Sequence, residues 1–209
     1  MKREQKREQT KKQILEATKE IIREKGCART TLQDILDRTG LSKGAIFHYV
    51  KSKDELLSLV LREKLEETDR QFQAAAEREV SFEGPMRAIA DSMPQLEDAG
   101  NEGNRVLMYL LGNSDKPEVK EVLQQFYEQT VRLSRQWIDA GQRAGVIPAD
   151  VDASKFAELF VLISLGIRMR SVMASGTFAF GGGDFAEWIA DILRPKPESG
   201  IGSGKWESR

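Results

Sequence analysis

The chain has 209 residues, 40% hydrophobic and 31% charged, with a formal net charge of -1. These values are typical of a soluble globular protein of one or two units. The charged N-terminus has no apolar core, and Glu158, Arg168 and Arg170 interrupt the longest apolar run, so we expect neither a secreted nor a membrane protein. The single cysteine, Cys27, cannot form an internal disulfide, which fits a reducing cytoplasm and a packing role better than a redox sensor.

The charge is distributed unevenly along the chain. Residues 1–53 contain fourteen Lys and Arg against seven Asp and Glu, a net charge of +7, and the remaining residues have a net charge of -8. A basic N-terminal unit suits a polyphosphate, which would repel the acidic remainder. Helical proteins often have patchy charge, so this division favours nucleic acid only in combination with a motif.

The first informative element is a short helix that ends in a tight turn. Leu32, Ile35 and Leu36 fall on one helical face. Gly40 can adopt the positive φ that ends a helix, and Leu41 supplies an apolar contact just after it. The pattern predicts a compact helix followed at once by a new element.

A second short helix begins at Ser42, whose side chain can cap its free N–H groups. Its inward face is apolar and its outward face is formed by Lys43, Gly44, Phe47 and His48. Ser52 and Glu55 then fit a capping box that opens a longer helix, 54–77. Helix, tight turn and exposed short helix predict a helix-turn-helix, in which the second helix enters the major groove of DNA.

Several segments of the first sixty residues match the pattern of a known family. The matching segments are a leading helix before Lys25-Gly26, then Thr30-Thr31-Leu32, Asp34-Ile35, Thr39 to Gly44, Phe47-His48-Tyr49 and Lys51 to Leu56. In these segments the sequence resembles the TetR family of bacterial transcriptional regulators. The resemblance implies phosphate contacts by three of the residues and a groove-facing position for four others. The phosphate contacts implied are Thr31, Tyr49 and Lys53, and the groove-facing residues are Lys43, Gly44, Ala45 and His48.

Three positions depart from the family pattern. Phe47 stands where the family usually has tyrosine, so a hydroxyl bond to phosphate is missing there. Val50 replaces a usual phenylalanine and Cys27 a usual aromatic residue, and both are interpreted as packing changes. The predicted DNA-binding residues are Thr31, Ser42, Lys43, Gly44, Ala45, Phe47, His48, Tyr49 and Lys53.

The rest of the chain is predicted to be helical, which makes the whole protein all-α with about nine helices. Helices are predicted over 84–97, 103–112, 117–144, 152–174 and 184–193. We divide the chain into a helix-turn-helix DNA-binding domain at 1–53, a ligand-binding and dimerisation domain at 54–193, and a disordered tail at 194–209.

Thioethers and aromatic rings of the later helices can line a pocket for an apolar or amphipathic effector, although helices of this length also need such residues to pack. Arg168 and Arg170 either pair with an acidic ligand or a second subunit, or reach solvent at helix edges. The apolar residues of helix 152–174 cover more than one face, so this helix and 184–193 are predicted to form a homodimer, with close approach at Ser164 and Gly166; a buried helix in a monomer is the alternative. The predicted ligand-binding residues are Met86, Met93, Met108, Tyr109, Phe126, Tyr127, Trp137, Phe160 and Met169.

Catalysis has little support in the sequence. The only histidine is His48, and the chain has no zinc, phosphate-loop or dinucleotide motif, so we expect no catalytic residue, no metal and no cofactor. We therefore expect a cytoplasmic homodimer that binds double-stranded operator DNA and a small-molecule effector, and that acts as a repressor. Two alternatives stay open: a regulator whose C-terminal domain is only a dimerisation or protein-docking scaffold, and an enzyme with a borrowed DNA-binding domain.

Overall fold

The computed structural model describes residues 2–78, 81–174 and 176–195, and over these residues the protein is all-helical, as predicted. The helix boundaries lie within about two residues of the predicted ones except in one segment. Within the described residues the helices are α1 Lys2–Arg29, α2 Leu32–Thr39, α3 Lys43–Phe47, α4 Lys53–Arg78, α5 Glu83–Ser92, α6 Pro94–Glu97, α7 Glu102–Leu111, α8 Pro117–Arg143, α9 Ala153–Met173 and α10 Gly182–Leu193.

The prediction of one helix over 84–97 is wrong. The segment forms α5 and the four-residue α6, and the break lies at Met93. Pro94 has no amide hydrogen with which to continue the helical ladder, and the N–H of Met93 donates to the carbonyl of Ala90, only three residues earlier. The chain therefore starts a new short helix with Pro94 in its first turn.

The first three helices and the start of α4 enclose a small core of their own. Gly40 closes α2 with a φ of 67°, and its N–H donates to the carbonyl of Leu36 at 2.9 Å. Leu32, Leu36 and Leu41 pack against the core from its margin. Its buried members are Ile14, Ile21, Ile35, Ile46, Val50 and Leu56.

A second core joins this unit to the rest of the protein. It lies between α1, α4, α7 and α8, and it includes Cys27 and Leu57. Burial raises the pKa of the Cys27 thiol to about 11, so the residue is an inert packing group, in agreement with the sequence interpretation. Leu56 belongs to the first core and Leu57 to the second, so the predicted domain boundary at 53/54 falls where α4 enters both.

The third core fills the helical bundle formed by the second half of α4 with α5, α6, α8, α9 and α10. Phe185 and Ala157 are fully buried in it, and the rings of Phe72 and Trp137 stack with centroids 4.6 Å apart. Of the predicted tail, residues 196–209 lie outside the described residues. Among the residues that the structure describes, no helix combines the length and apolar character that a membrane crossing needs.

Candidate functional sites

The turn between α1 and α2 is held by reciprocal hydrogen bonds. The Thr31 hydroxyl accepts the N–H of Asp34 at 3.2 Å, and the Asp34 carboxylate accepts the N–H of Thr31 at 2.7 Å. Lys25 lies 2.6 Å from the same carboxylate, and together Lys25 and Thr31 lower the pKa of Asp34 to about 2. The Thr31 hydroxyl also donates to Asp34 at 2.7 Å, so the residue predicted to contact phosphate serves as a helix cap.

Helix α3 presents the surface that the sequence pattern predicts. The Ser42 hydroxyl accepts the N–H of Ala45 at 3.2 Å, and Ile46 anchors the helix in the first core. Ala45 is half-buried at the edge of this helix. The exposed residues are Ser42, Lys43, Gly44, Phe47 and His48, with the Lys43 ammonium 5.6 Å from the centre of the Phe47 ring.

Helix α1 flanks this surface. The Tyr49 hydroxyl donates to the carbonyl of Arg7 at 3.2 Å, and the Gln13 amide donates to the carbonyl of Thr39 at 3.0 Å. Because both bonds span the space between α1 and the turn-helix segment, they hold the N-terminal half of α1 beside α3.

Lys53 is half-buried and contacts two other helices of the protein. Its ammonium donates to the carbonyl of Ala28 at 2.8 Å and lies 4.8 Å from the centre of the Tyr109 ring. The residue predicted to anchor a phosphate at the start of α4 therefore also ties the end of α1 to α7.

Some of the basic residues of the N-terminal unit form ion pairs, and others do not. Arg38 pairs with Glu20 at 2.9 Å and with Glu24 at 2.8 Å, while Lys19 pairs with Glu63 at 2.5 Å. These ion pairs neutralise part of the positive charge of the unit. A charge count of the sequence cannot show which cations are paired in this way. Most of the remaining cations lie on the first half of α1 and around α3. The cations of this unit that take part in none of the ion pairs of the described residues are Lys6, Arg7, Lys11, Lys12, Arg29, Lys43, Lys51 and Lys53.

Two adjoining cavities open inside the C-terminal bundle. The larger one, the large chamber, has a volume of about 240 Å³ and lies between α4, α5, α8, α9 and α10. None of its described lining residues is charged. Its main apolar walls are Phe72, Phe82, Met86, Ile138, Phe156 and Ile189.

The smaller cavity, the small chamber, has a volume of about 100 Å³ and lies closer to the DNA-binding unit. Its lining includes Lys64, Ser164 and Arg168 among apolar residues of α4, α6, α8 and α9. The two chambers meet at Ile89, Ser134, Trp137 and Phe160, which line both.

The structure separates the predicted ligand-binding residues into two groups. Met86 lines the large chamber, Met93 and Phe126 line the small one, and Trp137 and Phe160 line both. Met108 and Tyr109 pack instead in the core that joins α1 to α7, Met169 is 46% exposed on α9, and Tyr127 lines neither chamber. Sequence periodicity indicates an apolar face but not which neighbour that face meets. The sequence interpretation therefore did not identify Phe72, Ile138 and Ser164 as residues that line the chambers. It also did not decide whether Arg168 pairs with a ligand or a second subunit, or reaches solvent.

Helix α7 connects the small chamber to the DNA-binding unit. The Asn104 side chain is fully buried and accepts a hydrogen bond from Arg168. The next residue, Arg105, points the other way and donates to the carbonyl of Ile22 at 2.8 Å, near the end of α1. Asp54 at the start of α4 pairs at 3.1 Å with Lys116 before α8.

An apolar stripe remains exposed along α9. It is formed by Leu159, Leu162, Gly166, Met169 and Met173, spaced three or four residues apart, and Met173 is 77% exposed. Trp188 and Ile192 extend the apolar surface on α10, at 40% and 39% exposed. Ser164, predicted to allow close helix approach at a dimer interface, instead faces the small chamber within the subunit.

An exposed five-residue helix on a small helical unit, joined to a larger helical domain, defines a DNA-binding transcriptional regulator of the helix-turn-helix class. Comparison with known proteins adds a family match for the N-terminal unit. Residues 14–60 match the family described as bacterial regulatory proteins, tetR family. The chain is 27% identical over 202 residues to the transcriptional regulator TtgR of Pseudomonas putida, covering 91% of this chain and 94% of that protein.

Two further relatives agree. The transcriptional repressor KstR2 of Rhodococcus jostii is 20% identical over 144 residues, covering 67% of this chain and 69% of that protein. A TetR transcription regulator from Haloarcula marismortui has the same fold, with a TM-score of 0.65 at 24% identity over 90% of this chain and 100% of that one. The chain is thus similar to transcriptional regulators of the TetR family, and the match to the family's own model covers residues 14–60.

Proposed function

We propose that the protein is a homodimeric transcriptional repressor that binds operator DNA through α2 and α3 and is released when a small apolar or amphipathic molecule enters the chambers. The observation that carries the proposal is the exposed face of α3, held on a closely packed core by the buried side chain of Ile46. A repressor name for one relative, KstR2, supports the direction of regulation.

The exposed tip of α3 supplies the base contacts. Lys43 is the first residue after the Ser42 cap, where an ammonium can reach guanine O6 and N7 in the major groove. A Cβ on Gly44 would meet nothing within 4 Å, so the fold does not require glycine there, and a close approach to DNA is a reason for it. Ala45 and His48 continue the groove-facing surface.

Phosphate contacts flank the groove. Thr31, Tyr49 and Lys53 have hydroxyl or ammonium groups at the ends of α2, α3 and α4, although each also bonds within the protein. Lys53 retains N–H donors beyond the one given to Ala28, and helix N-termini favour phosphate. The unpaired cations of α1 and α3 add non-specific attraction to the DNA backbone.

The exposed stripe on α9 and the apolar residues of α10 support dimerisation. An uncovered apolar stripe of this length is costly in water, and a second copy of the chain would bury it symmetrically. Two helix-turn-helix units would then reach successive half-sites, about 34–36 Å apart on one face of B-DNA.

Ligand and DNA are coupled through α4 and α7. Helix α4 starts at the DNA-binding unit and lines both chambers, through Leu65 in the small one and Phe72 in the large one. Helix α7 links the small chamber to α1 through neighbouring Asn104 and Arg105. A ligand that favours a different α4 position changes the spacing of the two recognition helices and so releases the operator.

DNA binding is tested with an operator selected by the protein from random duplexes. Affinity should fall steeply with salt, with a log–log slope of about −0.9 per phosphate contact. Binding that does not depend on salt would contradict the DNA-binding surface described above.

Dimerisation is tested with Leu162→Glu, which places a charge on the exposed stripe. This variant should sediment as a monomer and lose most operator affinity, because a single unit makes too few contacts. Leu111→Glu is the matched control, since Leu111 is an exposed leucine of α7 at 39% exposure. A dimeric Leu162→Glu protein would place the subunit interface elsewhere.

Ligand coupling is tested with the neutral apolar dye Nile red. Operator DNA should weaken dye binding by the same factor by which the dye weakens operator binding, typically about 5–150-fold. Ile138→Trp, which fills part of the large chamber, should abolish dye binding and leave operator affinity unchanged. Equal dye affinity with and without operator would instead favour the scaffold alternative for the C-terminal domain.

A further inference from the structure

We propose that the effector is an amphipathic carboxylic acid, whose carboxylate binds Arg168 and Ser164 in the small chamber while its apolar tail occupies the large chamber. This inference rests on the proposed function of the chambers as the effector site and names the chemistry of the ligand.

The charged residues of the small chamber all have the same sign. Among its described lining residues, only Lys64 and Arg168 are charged, and neither takes part in an ion pair within the described part of the chain. The neighbouring Arg170, two residues later, has an acidic partner, Glu97, at 3.2 Å. Arg168 therefore differs from Arg170, on the same helix, in lacking a carboxylate partner among the described residues.

Arg168 is held in place by a neutral group. One of its terminal nitrogens donates to the side-chain oxygen of Asn104. The amide nitrogen of Asn104 lies 2.8 Å from the carbonyl of Gln95 and 2.9 Å from that of Asp98, which fixes the amide in the turn before α7. The guanidinium thus points into the chamber with its orientation set before any ligand arrives, which lowers the entropic cost of binding.

Burial without an opposite charge is unfavourable for this guanidinium. Desolvation lowers the pKa of Arg168 to about 10, and no carboxylate of the described residues opposes the effect. A carboxylate ligand would supply the missing charge, and its two oxygens match the planar fork of an arginine.

Ser164 gives a second, independent indication of a ligand. It lies one helical turn before Arg168 on α9, is 9% exposed, and lines the same chamber. Its hydroxyl oxygen is buried without a hydrogen-bond partner among the described residues. Buried hydroxyls are normally hydrogen-bonded, and a carboxylate on Arg168 would accept this one.

The apolar part of the ligand has a continuous path away from the charge. Trp137 and Phe160 line both chambers, and the large chamber beyond them has no charged residue in its described lining. The indole N–H of Trp137 already donates to Asp69 at 2.9 Å, so the ring presents an apolar surface to the chambers. One charged end and one apolar end describe an aliphatic or aromatic acid.

The competing explanation is that Arg168 only secures the turn before α7 through Asn104. The two explanations are separated by calorimetric titration of the full-length protein with decanoate and with 1-decanol, which share a ten-carbon chain. At neutral pH decanoate should bind about tenfold tighter or more, because a charge-assisted hydrogen bond contributes more than a neutral one. No variant is needed for this comparison.

Variants then identify the contact. Arg168→Gln should remove the preference for decanoate while leaving 1-decanol binding unchanged, and Arg168→Lys should retain part of it. Ser164→Ala should reduce the preference about threefold or more. Lys155→Gln is the matched control, because Lys155 is a lysine of the same helix with an 88% exposed side chain.

The outcomes distinguish this inference from the proposed function. Tighter binding of 1-decanol than of decanoate, or an equal loss of both in Arg168→Gln, would overturn the acid and leave the effector site in place. If decanoate does not bind while Nile red still binds and releases the operator, the proposed acid is also overturned and the effector site stays in place. If neither probe nor the dye binds, the proposed sensor function fails together with this inference. If Arg168→Gln does not fold, the wild-type comparison and Ser164→Ala decide.

Discussion

The two ends of this molecule are packed in opposite ways. The helix-turn-helix unit surrounds a small core of fully buried side chains such as Ile35 and Ile46, and its polar groups are used in caps and ion pairs. The C-terminal bundle is larger, yet it contains two chambers. Among the described residues, it also contains a buried hydroxyl without a hydrogen-bond partner at Ser164 and a half-buried cation without a carboxylate at Arg168.

The difference follows from where each region meets its partner. A surface that reads DNA must hold a few side chains rigidly on its outside, so everything beneath them is packed and satisfied. A region that binds a small molecule must leave room and unsatisfied groups inside, at a cost in stability. The α4 and α7 helices connect the two regions and would carry the proposed coupling between them.

The largest expected effect is on the free energy of unfolding, and it compares the close packing of the N-terminal core with the looser packing around the large chamber. Ile46→Ala should lower the free energy of unfolding by an amount near the upper end of roughly 2–5 kcal/mol, because close packing leaves a new cavity. Ile138→Ala should lie near the lower end of that range, because Ile138 already faces the large chamber and has fewer contacts to lose. Urea denaturation measures both, and a larger loss for Ile138→Ala would reverse the comparison.

Next in size is the contrast between a cation that takes part in no ion pair of the described residues and one that is paired. Lys43→Ala should cost roughly 1–3 kcal/mol of operator affinity and relax the preference at one base position. Arg38→Ala should change operator affinity by less than about 0.5 kcal/mol, since Arg38 is occupied by Glu20 and Glu24. Titration of both variants against operator and single-base variants is the measurement. A loss of base preference in Arg38→Ala alone would exclude α3 as the reading helix.

A smaller gain is expected from restoring a hydroxyl. Phe47 is 41% exposed on α3, at the position where the family usually has tyrosine. Phe47→Tyr should strengthen binding to operator and random duplexes alike by about 0.5–1.5 kcal/mol, because a phosphate contact carries no sequence information. Phe178→Tyr, an equally exposed position in the C-terminal region, should leave both affinities unchanged. A gain limited to the operator would indicate a base contact instead.

The smallest effect concerns the cap of α2. The folded-state pKa of Asp34 is lowered to about 2 from an ordinary value of 3.8, so its stabilisation is present above pH 4 and is lost as the pH falls towards 2. The stability advantage of the wild type over Asp34→Ala should therefore be about 0.5–1 kcal/mol at pH 7, small because the ion pair is partly exposed, and should shrink over that window. Asp37→Ala is the control. An advantage that grew on acidification would contradict the role of the ionised cap.

Local signals account for the accuracy of the sequence prediction in the N-terminal unit. Gly40 and Ser42 specify a turn and a cap with their own backbone neighbours, so no distant contact is needed to predict them. The inward position of Ile46 and the outward position of Phe47 follow from helical periodicity alone. The same reasoning predicted most of the later helix boundaries.

Only the tertiary structure decided what the long side chains contact. Lys53 and Thr31 could not be assigned internal partners from the sequence, because Ala28 and Tyr109 are brought to Lys53 by the packing of α1 and α7. Met169 and Phe160 are similar apolar residues of one helix, yet one faces outward and the other lines both chambers.

The sequence by itself thus determined the helices, the turn and the exposed face of α3, because these depend on interactions between residues close in the chain. The chambers, the position of Arg168 beside Asn104 rather than a carboxylate, and the link through α7 depend on how distant helices meet. A sequence pattern gives the apolar face of each helix but not the space left between helices, and that space decides where a ligand can bind.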